Sequence, residues 1–328
     1  MSLYFKALEA SQKDGKFSLS IIKKRIEDLP EGDLLIKVEY SSLNYKDAMS
    51  ATGVPGVTRE YPHTPGIDAT GEVVRSSSSD FKEGDKVIVS GYDLGMNTSG
   101  GFAEYIRIPS QWAINLPTGL STEDSMSLGT AGLTAGLCIA ALESYRGIEG
   151  TKSIVTGATG GVGSIAVMLL SKLGSEVTAL SGKEVQQEFL NDLGANSIMN
   201  REELSKSVKR PLNKGIWDIG IDVVSGDILS TLLAALNPGG AIACCGLVGG
   251  TTFESSIFPF ILRGIALLGI DSVEIPLEKK KEVWEKFSGS WSLPDLNKIT
   301  KVVELDGLED EIKTILAGEQ VGRVILKI

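Results

Sequence analysis

Histidine is nearly missing from this chain. His63 is the only one in 328 residues, so any site needing two histidines within one chain is excluded. Cysteine is scarce too, with Cys138, Cys244 and Cys245 and no CxxC pair. These four residues show no metal-ligand spacing. No disulfide framework is visible, and the expectation is a reducing cytoplasm. An excess of basic charge is also lacking. The net charge of -10 and pI near 4.9 argue against a broad nucleic-acid or anionic-membrane footprint. No apolar run reaches the roughly 18 residues of a membrane span. The opening MSLYFKALEASQKDGK has no basic start, apolar middle or small-residue cleavage site, so no signal peptide is expected. There is no GxSxG elbow for a serine hydrolase, and no internal repeat.

What is present is an ordinary globular composition, 42% hydrophobic and 23% charged, in a chain long enough for two domains. Three regimes follow one another. Up to about residue 120 the chain reads as short β segments punctuated by Gly, Pro, Asn and Asp, with strands expected at Leu34 to Tyr40, Ala69 to Val74, Lys86 to Ser90 and Phe102 to Ile108. The middle alternates strand and helix patterns, as a parallel sheet covered on both faces does. Strands are expected at Ser153 to Thr156, Glu176 to Leu180, Ile219 to Val224, Ala241 to Cys245 and Ala266 to Ile270. Apolar helices follow the first two, the second over Glu184 to Leu193. From Pro276 onward, Leu277 to Phe287 reads as an exposed helix burying Val283, Trp284 and Phe287. A last strand, Arg323 to Ile328, is a candidate to return to the first domain.

The strand at Ser153 runs into Ala158-Thr159-Gly160-Gly161-Val162-Gly163, a variant of GxGxxG with alanine first. It follows a strand and opens a helix, as a pyrophosphate cradle requires, because glycines admit close backbone approach and the helix start offers free N–H groups. Where the second strand ends, about 20 residues on, an NAD enzyme places a carboxylate for the ribose 2′-hydroxyl. Here stand Ser181-Gly182-Lys183, a hydroxyl, a glycine N–H and an ammonium suited to a 2′-phosphate, with Arg201 as a second cation. Glu184 one place later pulls the other way. The balance points to NADPH. Gly246-Leu247-Val248-Gly249-Gly250 follows a strand and is either a backbone approach to the nicotinamide or an ordinary turn.

Asn44-Tyr45-Lys46-Asp47 lies just beyond the strand expected at Leu34 to Tyr40. Asn can donate to a carbonyl oxygen, Tyr can donate a proton and Asp can orient either; on the residues alone an Asx-type turn reads as well. Arg263 and Arg323 are candidate anchors for an acidic or phosphorylated substrate, against the usual structural role of arginine.

Several segments together carry a resemblance along nearly the whole chain. They are Ser42-Leu43-Asn44-Tyr45-Lys46-Asp47, Pro65-Gly66-Ile67-Asp68, Gly129-Thr130-Ala131-Gly132, Thr156 to Gly163, Pro259 to Arg263, Gly269-Ile270-Asp271-Ser272 and Gly322-Arg323-Val324. The sequence resembles the medium-chain dehydrogenase/reductases, in the zinc-free YhdH/YhfP-type group of quinone oxidoreductases and acrylyl-CoA reductase. The resemblance implies an α/β fold with a central Rossmann domain, a doubly wound parallel sheet over residues 121–274. It implies a GroES-like β-rich catalytic domain in residues 1–120, completed by 275–328. It also implies a cleft between the two, a homodimer, NADPH without metal or flavin, and cofactor contacts from Ile270 and Ser272. Zinc-dependent relatives carry Gly-His-Glu where Gly66-Ile67-Asp68 stands, a ligating Cys near Asn44 and a four-cysteine loop; none is here.

Without zinc to polarise an isolated ketone, a conjugated enoyl thioester is the fitting hydride acceptor. Hydride goes to its β-carbon, donors steady the enolate and a proton reaches the α-carbon. The family likeness makes Asn44, Tyr45 and Asp47 catalytic candidates, with Tyr45 or water as proton donor. The expected activity is reduction of a short 2-enoyl-CoA such as acryloyl-CoA. The alternatives are reduction of small quinones and, from another class, a non-catalytic NADPH-binding sensor. No nucleic-acid or membrane partner is expected.

Overall fold

The structure is a computed structural model that describes residues 3–182, 187–206 and 210–328. It divides into two compact units, Met1–Thr130 with Ser272–Ile328, and Ala131–Asp271. The sequence expectation placed the borders at 120/121 and 274/275. The first border falls later because Thr130 is hydrogen-bonded to Asp68 of the first unit through both its N–H and its hydroxyl.

The chain opens with a hairpin that the sequence reading did not list, β1 (Tyr4–Lys13) and β2 (Lys16–Arg25). Asp14 and Gly15 turn it, both at positive φ (51° and 74°). An Asp-Gly pair between alternating residues is a hairpin signal. There follow β3 (Leu34–Leu43), the short helix α1 (Tyr45–Ala51), β4 (Asp68–Ser76), β5 (Lys86–Ser90), β6 (Tyr105–Ile108) and β7 (Ala113–Asn115). Four of these strands, β3 to β6, fall where the punctuation by Gly, Pro, Asn and Asp placed them, with β6 starting at Tyr105 rather than Phe102. Next comes α2 (Thr122–Arg146), broken at Gly129 (φ 52°, ψ −154°). It is apolar and long enough to cross a membrane, yet 78% of its apolar stretch of 18 residues is buried inside the protein. The sequence expectation of no apolar run of that length thus fails at α2, where interspersed Ser, Thr and Gly dilute the hydrophobic pattern.

The second unit alternates β8 (Lys152–Thr156), α3 (Gly161–Lys172), β9 (Glu176–Ser181), α4 (Gln187–Asp192), β10 (Ser197–Asn200), α5 (Arg201–Lys206), β11 (Trp217–Asp222), α6 (Gly226–Ala234), β12 (Leu236–Cys244), α7 (Phe258–Arg263) and β13 (Ala266–Gly269). All sheet neighbours are parallel, in the order β10-β9-β8-β11-β12-β13. That is the 3-2-1-4-5-6 order of a dinucleotide-binding doubly wound sheet, whose direction of winding reverses between β8 and β11. Helix α4 begins within the expected helix, whose first residues, 184–186, lie outside the described ones.

The chain then returns to the first unit through α8 (Leu277–Ser288), β14 (Thr300–Val303), α9 (Leu308–Leu316) and β15 (Arg323–Lys327). The return expected of the last strand occurs: β15 pairs antiparallel with β3 and completes the sheet β14-β15-β3-β4-β5-β7, with β6 also on β3. Helix α8 buries Val283, Trp284 and Phe287 as its spacing indicates, and also Lys280. That lysine was expected to face solvent. It is buried because its ammonium donates to the carbonyls of Ser90 and Val273, both at 2.8 Å, and lies 3.4 Å from the Tyr92 ring centroid.

Candidate functional site

In the second unit the glycine turn joins β8 to α3 beside the point where winding reverses. A Cβ at Gly163 would collide with the carbonyl oxygen of Gly157, so only glycine lets α3 start this close to the strand. Gly157 stands at φ 56°. The first helical acceptor is the Gly160 carbonyl, taken by the Ser164 N–H at 2.9 Å. The N–H groups of Gly161, Val162 and Gly163 therefore precede the helical ladder at the positive end of a 12-residue helix. Thr159 is buried in the same turn.

Asp222, which the sequence reading did not single out, braces the floor of this crevice. It is wholly buried; it accepts from the Thr156 hydroxyl at 2.7 Å and the Ser225 N–H at 2.9 Å. Thr156 in turn accepts from the Val223 N–H at 2.9 Å. Ser225 is held at φ 67°, an uncommon state for a residue with a side chain. An Asp closing a strand was its only signal in the sequence.

At the end of β9, Ser181 is buried and pairs in register with Asn200, which brings Arg201 alongside. An added Cβ at Gly182 would stand 3.2 Å from Arg201 Nη2 and 3.3 Å from its Cζ. The guanidinium thus lies against Gly182, in space a side chain would fill. Lys183 lies outside the described residues. Gly246 is irreplaceable in this backbone, since its Cβ would overlap the Val223 carbonyl. Leu247 is exposed, and the Ile270 N–H donates to the Cys244 carbonyl at 3.0 Å. Ser272 is buried at the start of the returning segment of the first unit.

Arg263 does not present a free guanidinium. Its Nη1 donates to the carbonyls of Ala234 (3.1 Å) and Leu236 (2.6 Å), and its Nη2 donates to that of Asn213. These close the end of α6, so the anion-anchor reading is replaced by a structural one.

In the first unit, Asn44 and Asp47 are brought together and Tyr45 is left outside. Asp68 starts β4 with its carboxylate wholly buried. It accepts four hydrogen bonds: Ser42 Oγ (2.6 Å), Asn44 Nδ2 (2.8 Å), Thr130 N–H (2.8 Å) and Thr130 Oγ1 (2.7 Å). Asn44 Oδ1 accepts from Arg323 Nη1 at 3.2 Å. The amide therefore bridges a buried acid and a buried base, and these partners fix which way it points. Its Nδ2 also donates to Asp47 Oδ2 at 3.2 Å, so both N–H groups are taken and none is spare for a substrate carbonyl, which corrects the role first given to it. Arg323, 2% exposed, also donates to the Ser127 carbonyl (3.1 Å) and the Leu43 carbonyl (3.3 Å). Its Nη2 has no hydrogen-bond partner among the described residues. Such burial rules it out as an anchor for an incoming anion.

Asp47 sits three residues into the start of α1 and accepts the N–H groups of Asn44 (2.8 Å) and Ile67 (2.7 Å). Burial, and after it the charge of Asp68, push its carboxyl up to about 7. Tyr45, the first residue of α1, is 40% exposed. His63 is buried by its main-chain pairing with Ala10, and burial pushes its imidazole down. Among the described residues no group of three or more His, Cys, Asp and Glu side chains is placed to hold a metal.

Comparison with known proteins agrees with both units. Residues 30–118 match the family model of the alcohol dehydrogenase GroES-like domain, and residues 161–289 match that of the zinc-binding dehydrogenases. The chain is 38% identical over 322 residues, 98% of each chain, to acrylyl-CoA reductase AcuI of Ruegeria pomeroyi. It is 41% identical over the full length of both chains to YhfP of Bacillus subtilis, which is provisionally named a quinone oxidoreductase. A crystal structure of YhfP with NAD bound superposes with a TM-score of 0.97 at 40% identity, covering 100% of both chains. The yhdH oxidoreductase of Salmonella enterica in complex with NADP superposes with a TM-score of 0.95 at 40% identity, covering 98% of this chain and 99% of that one.

The raised carboxyl of Asp47 sets a pH dependence. The native state holds this proton above the unfolded value of 3.8, so the stability it contributes is fully present below that value and is lost as pH rises through about 7. Urea unfolding from about pH 5 to about pH 8 is expected to show wild type losing stability relative to Asp47→Asn as pH rises. Parallel curves would refute the shift.

Proposed function

The chain belongs to the medium-chain dehydrogenase/reductase family, in its quinone oxidoreductase and acrylyl-CoA reductase group, and from that membership we propose that it is an NADPH-dependent reductase of a short 2-enoyl thioester, with acryloyl-CoA as the leading substrate. The observation that carries this reading is the likeness to an acrylyl-CoA reductase along 98% of both chains. Likeness to YhfP favours a second reading, two-electron reduction of small quinones.

The residues present fit a dinucleotide. The close start of α3 and the N–H groups of Gly161, Val162 and Gly163 suit a pyrophosphate. Arg201 against Gly182, beside Ser181 and with no carboxylate closing β9, suits a 2′-phosphate. The NAD bound to YhfP is the finding that speaks for NADH. When bound, the cofactor supplies the hydride that reaches the β-carbon of the conjugated thioester.

Tyr45 is the proposed donor to the thioester oxygen or α-carbon, because it alone of the three polar residues is exposed. Asn44 and Asp47 are positioning residues. They hold the first turn of α1, on which Tyr45 stands, against Asp68 and Arg323. No metal takes part in this reading. Each ligand of a catalytic zinc needs a free lone pair directed at the ion, whereas the carboxylate at Asp68 is already filled by four donors.

A homodimer is part of the proposal. It is supported by the open edge at β13 and by the exposed side chains of Leu247, Val248, Phe258, Ile261 and Leu262. A cytoplasmic setting fits three free cysteines.

Following NADPH oxidation with acryloyl-CoA, crotonyl-CoA and a benzoquinone separates the two substrate readings. The expected kcat/KM on acryloyl-CoA exceeds that on the quinone by at least about tenfold, ~1.4 kcal/mol of transition-state preference. Turnover of the quinone with none on the thioesters would overturn the first reading. For the cofactor, Arg201→Ala is expected to raise KM for NADPH by about tenfold, the scale of one charge-assisted contact, and to leave KM for NADH in place. An unchanged NADPH-to-NADH ratio would remove Arg201 from the 2′-phosphate site.

A further inference from the structure

Cys244, the last residue of β12, lies in register with Asp222, the last residue of the neighbouring parallel strand β11. Side chains in register on adjacent strands share a face, and here the Cys244 thiol donates to Asp222 Oδ2 at 3.7 Å. On its other flank the register partner is Gly269 of β13, where an added Cβ would meet nothing within 4 Å. The sulfur thus has a carboxylate on one side and open space on the other, and Cys244 is partly exposed. Beneath it lies an apolar cluster to which α6 contributes Ile228 and Leu229. Cys245, the next titratable group along the chain, donates its own thiol to the Asp222 main-chain carbonyl at 3.7 Å.

Asp222 is wholly buried, and its other donors are uncharged: the Thr156 hydroxyl (2.7 Å), the Ser225 N–H (2.9 Å) and the Val224 N–H (3.3 Å). With no cation among these partners, its negative charge acts directly on the neighbouring sulfur. Loss of the thiol proton would set a second negative charge beside the first, away from water.

We propose that Asp222 guards Cys244 against alkylation: it holds the sulfur as a thiol, so that the conjugated thioester or quinone the protein reduces is not captured by the protein itself. The choice of electrophile rests on the function proposed above. Capture needs the thiolate. A sulfur electron pair would form an S–C bond at the β-carbon, the C=C π pair would move to the α-carbon, and the proton lost from sulfur would end there. A thioether results and no oxidant is consumed. That β-carbon is the atom that takes the hydride, so the feature that makes the substrate reducible also makes it a thiol trap. Burial and, after it, the charge of Asp222 push the Cys244 thiol up to about 11, above its ordinary value of 9.0.

The test follows alkylation of Cys244 in the full chain by acrylamide, a conjugated amide, from about pH 7 to about pH 10.5, with peptide mass spectrometry as readout and glutathione as the reference thiol. Wild-type Cys244 is expected to react at least about tenfold slower than glutathione at about pH 8, with a rate still climbing at the top of the range. Asp222→Asn should react severalfold faster at that pH and level off at a lower one, because the thiolate gained outweighs the nucleophilicity lost. A variant loosened in structure alone would react faster at every pH with the rise in the same place, and that result overturns the proposal. So does a wild-type Cys244 that reacts as fast as glutathione, which decides the matter even if Asp222→Asn fails to fold. Acryloyl-CoA in place of acrylamide, without NADPH, is expected to leave wild type unmodified and to add its mass to Cys244 of the variant; equal modification of the two would count against the guard. Failure of wild type to turn over any thioester or quinone would instead sink the proposed function, and the acrylamide profile is read independently of it.

Discussion

A buried carboxylate and a buried guanidinium joined by one amide hold the first unit together. Asp68 and Arg323 are each too costly to bury alone, since an ion without partners in an apolar interior loses several kcal/mol. Asn44 stands between them, donating to the acid and accepting from the base. The same two ions splice the break in α2. Arg323 donates to the Ser127 carbonyl at the end of the helix before Gly129, and Asp68 accepts the Thr130 N–H at the start of the helix after it. A cation at a helix carboxyl end and an anion at an amino end both oppose the helix dipole favourably. Gly129 has to be glycine here, because a Cβ would stand 2.5 Å from Ser42 Oγ and 2.8 Å from both Asp68 Oδ2 and Arg323 Nη2. Strands β3, β4 and β15 and the start of α1 thus share one polar knot, and Tyr45 is displayed from it.

The second unit relies on close approach of main chain rather than on buried charge. Gly163 and Gly246 each occupy a place where a methyl group would strike a carbonyl oxygen. Around them Asp222 and Thr156 gather the N–H groups of the turns that leave β11. What results is a rigid rim of main-chain donors at the carboxyl ends of the strands, the place where sheets of this winding hold phosphates. Arg201 gains its place the same way, by the lack of a side chain on Gly182.

Features written locally were legible in the sequence. The glycine turn has a fixed spacing, the strands of the second unit have short apolar runs, and the buried face of α8 follows helical spacing through Val283, Trp284 and Phe287. Contacts made over long sequence distances were not legible. Lys280 reads as a surface lysine until Ser90, 190 residues earlier, supplies its carbonyl. Arg263 and Arg323 read as candidate anion anchors because the partners of Arg263, and two of the three of Arg323, are main-chain carbonyls, which carry no residue signature. The same holds for Asn44, whose chemistry suggests a substrate donor while its partners 24 and 279 residues away consume it. The β1–β2 hairpin is different, since its Asp14-Gly15 signal was present and went unused.

If acid, amide and base act as one unit, removing either ion should make the loss of the other nearly free. A double-mutant cycle in urea unfolding, with Asp68→Asn, Arg323→Gln and the pair, measures this directly. A coupling of at least ~1 kcal/mol is expected for residues that share one network. Additivity of the two losses within about 0.5 kcal/mol would contradict it and reduce the knot to independent hydrogen bonds.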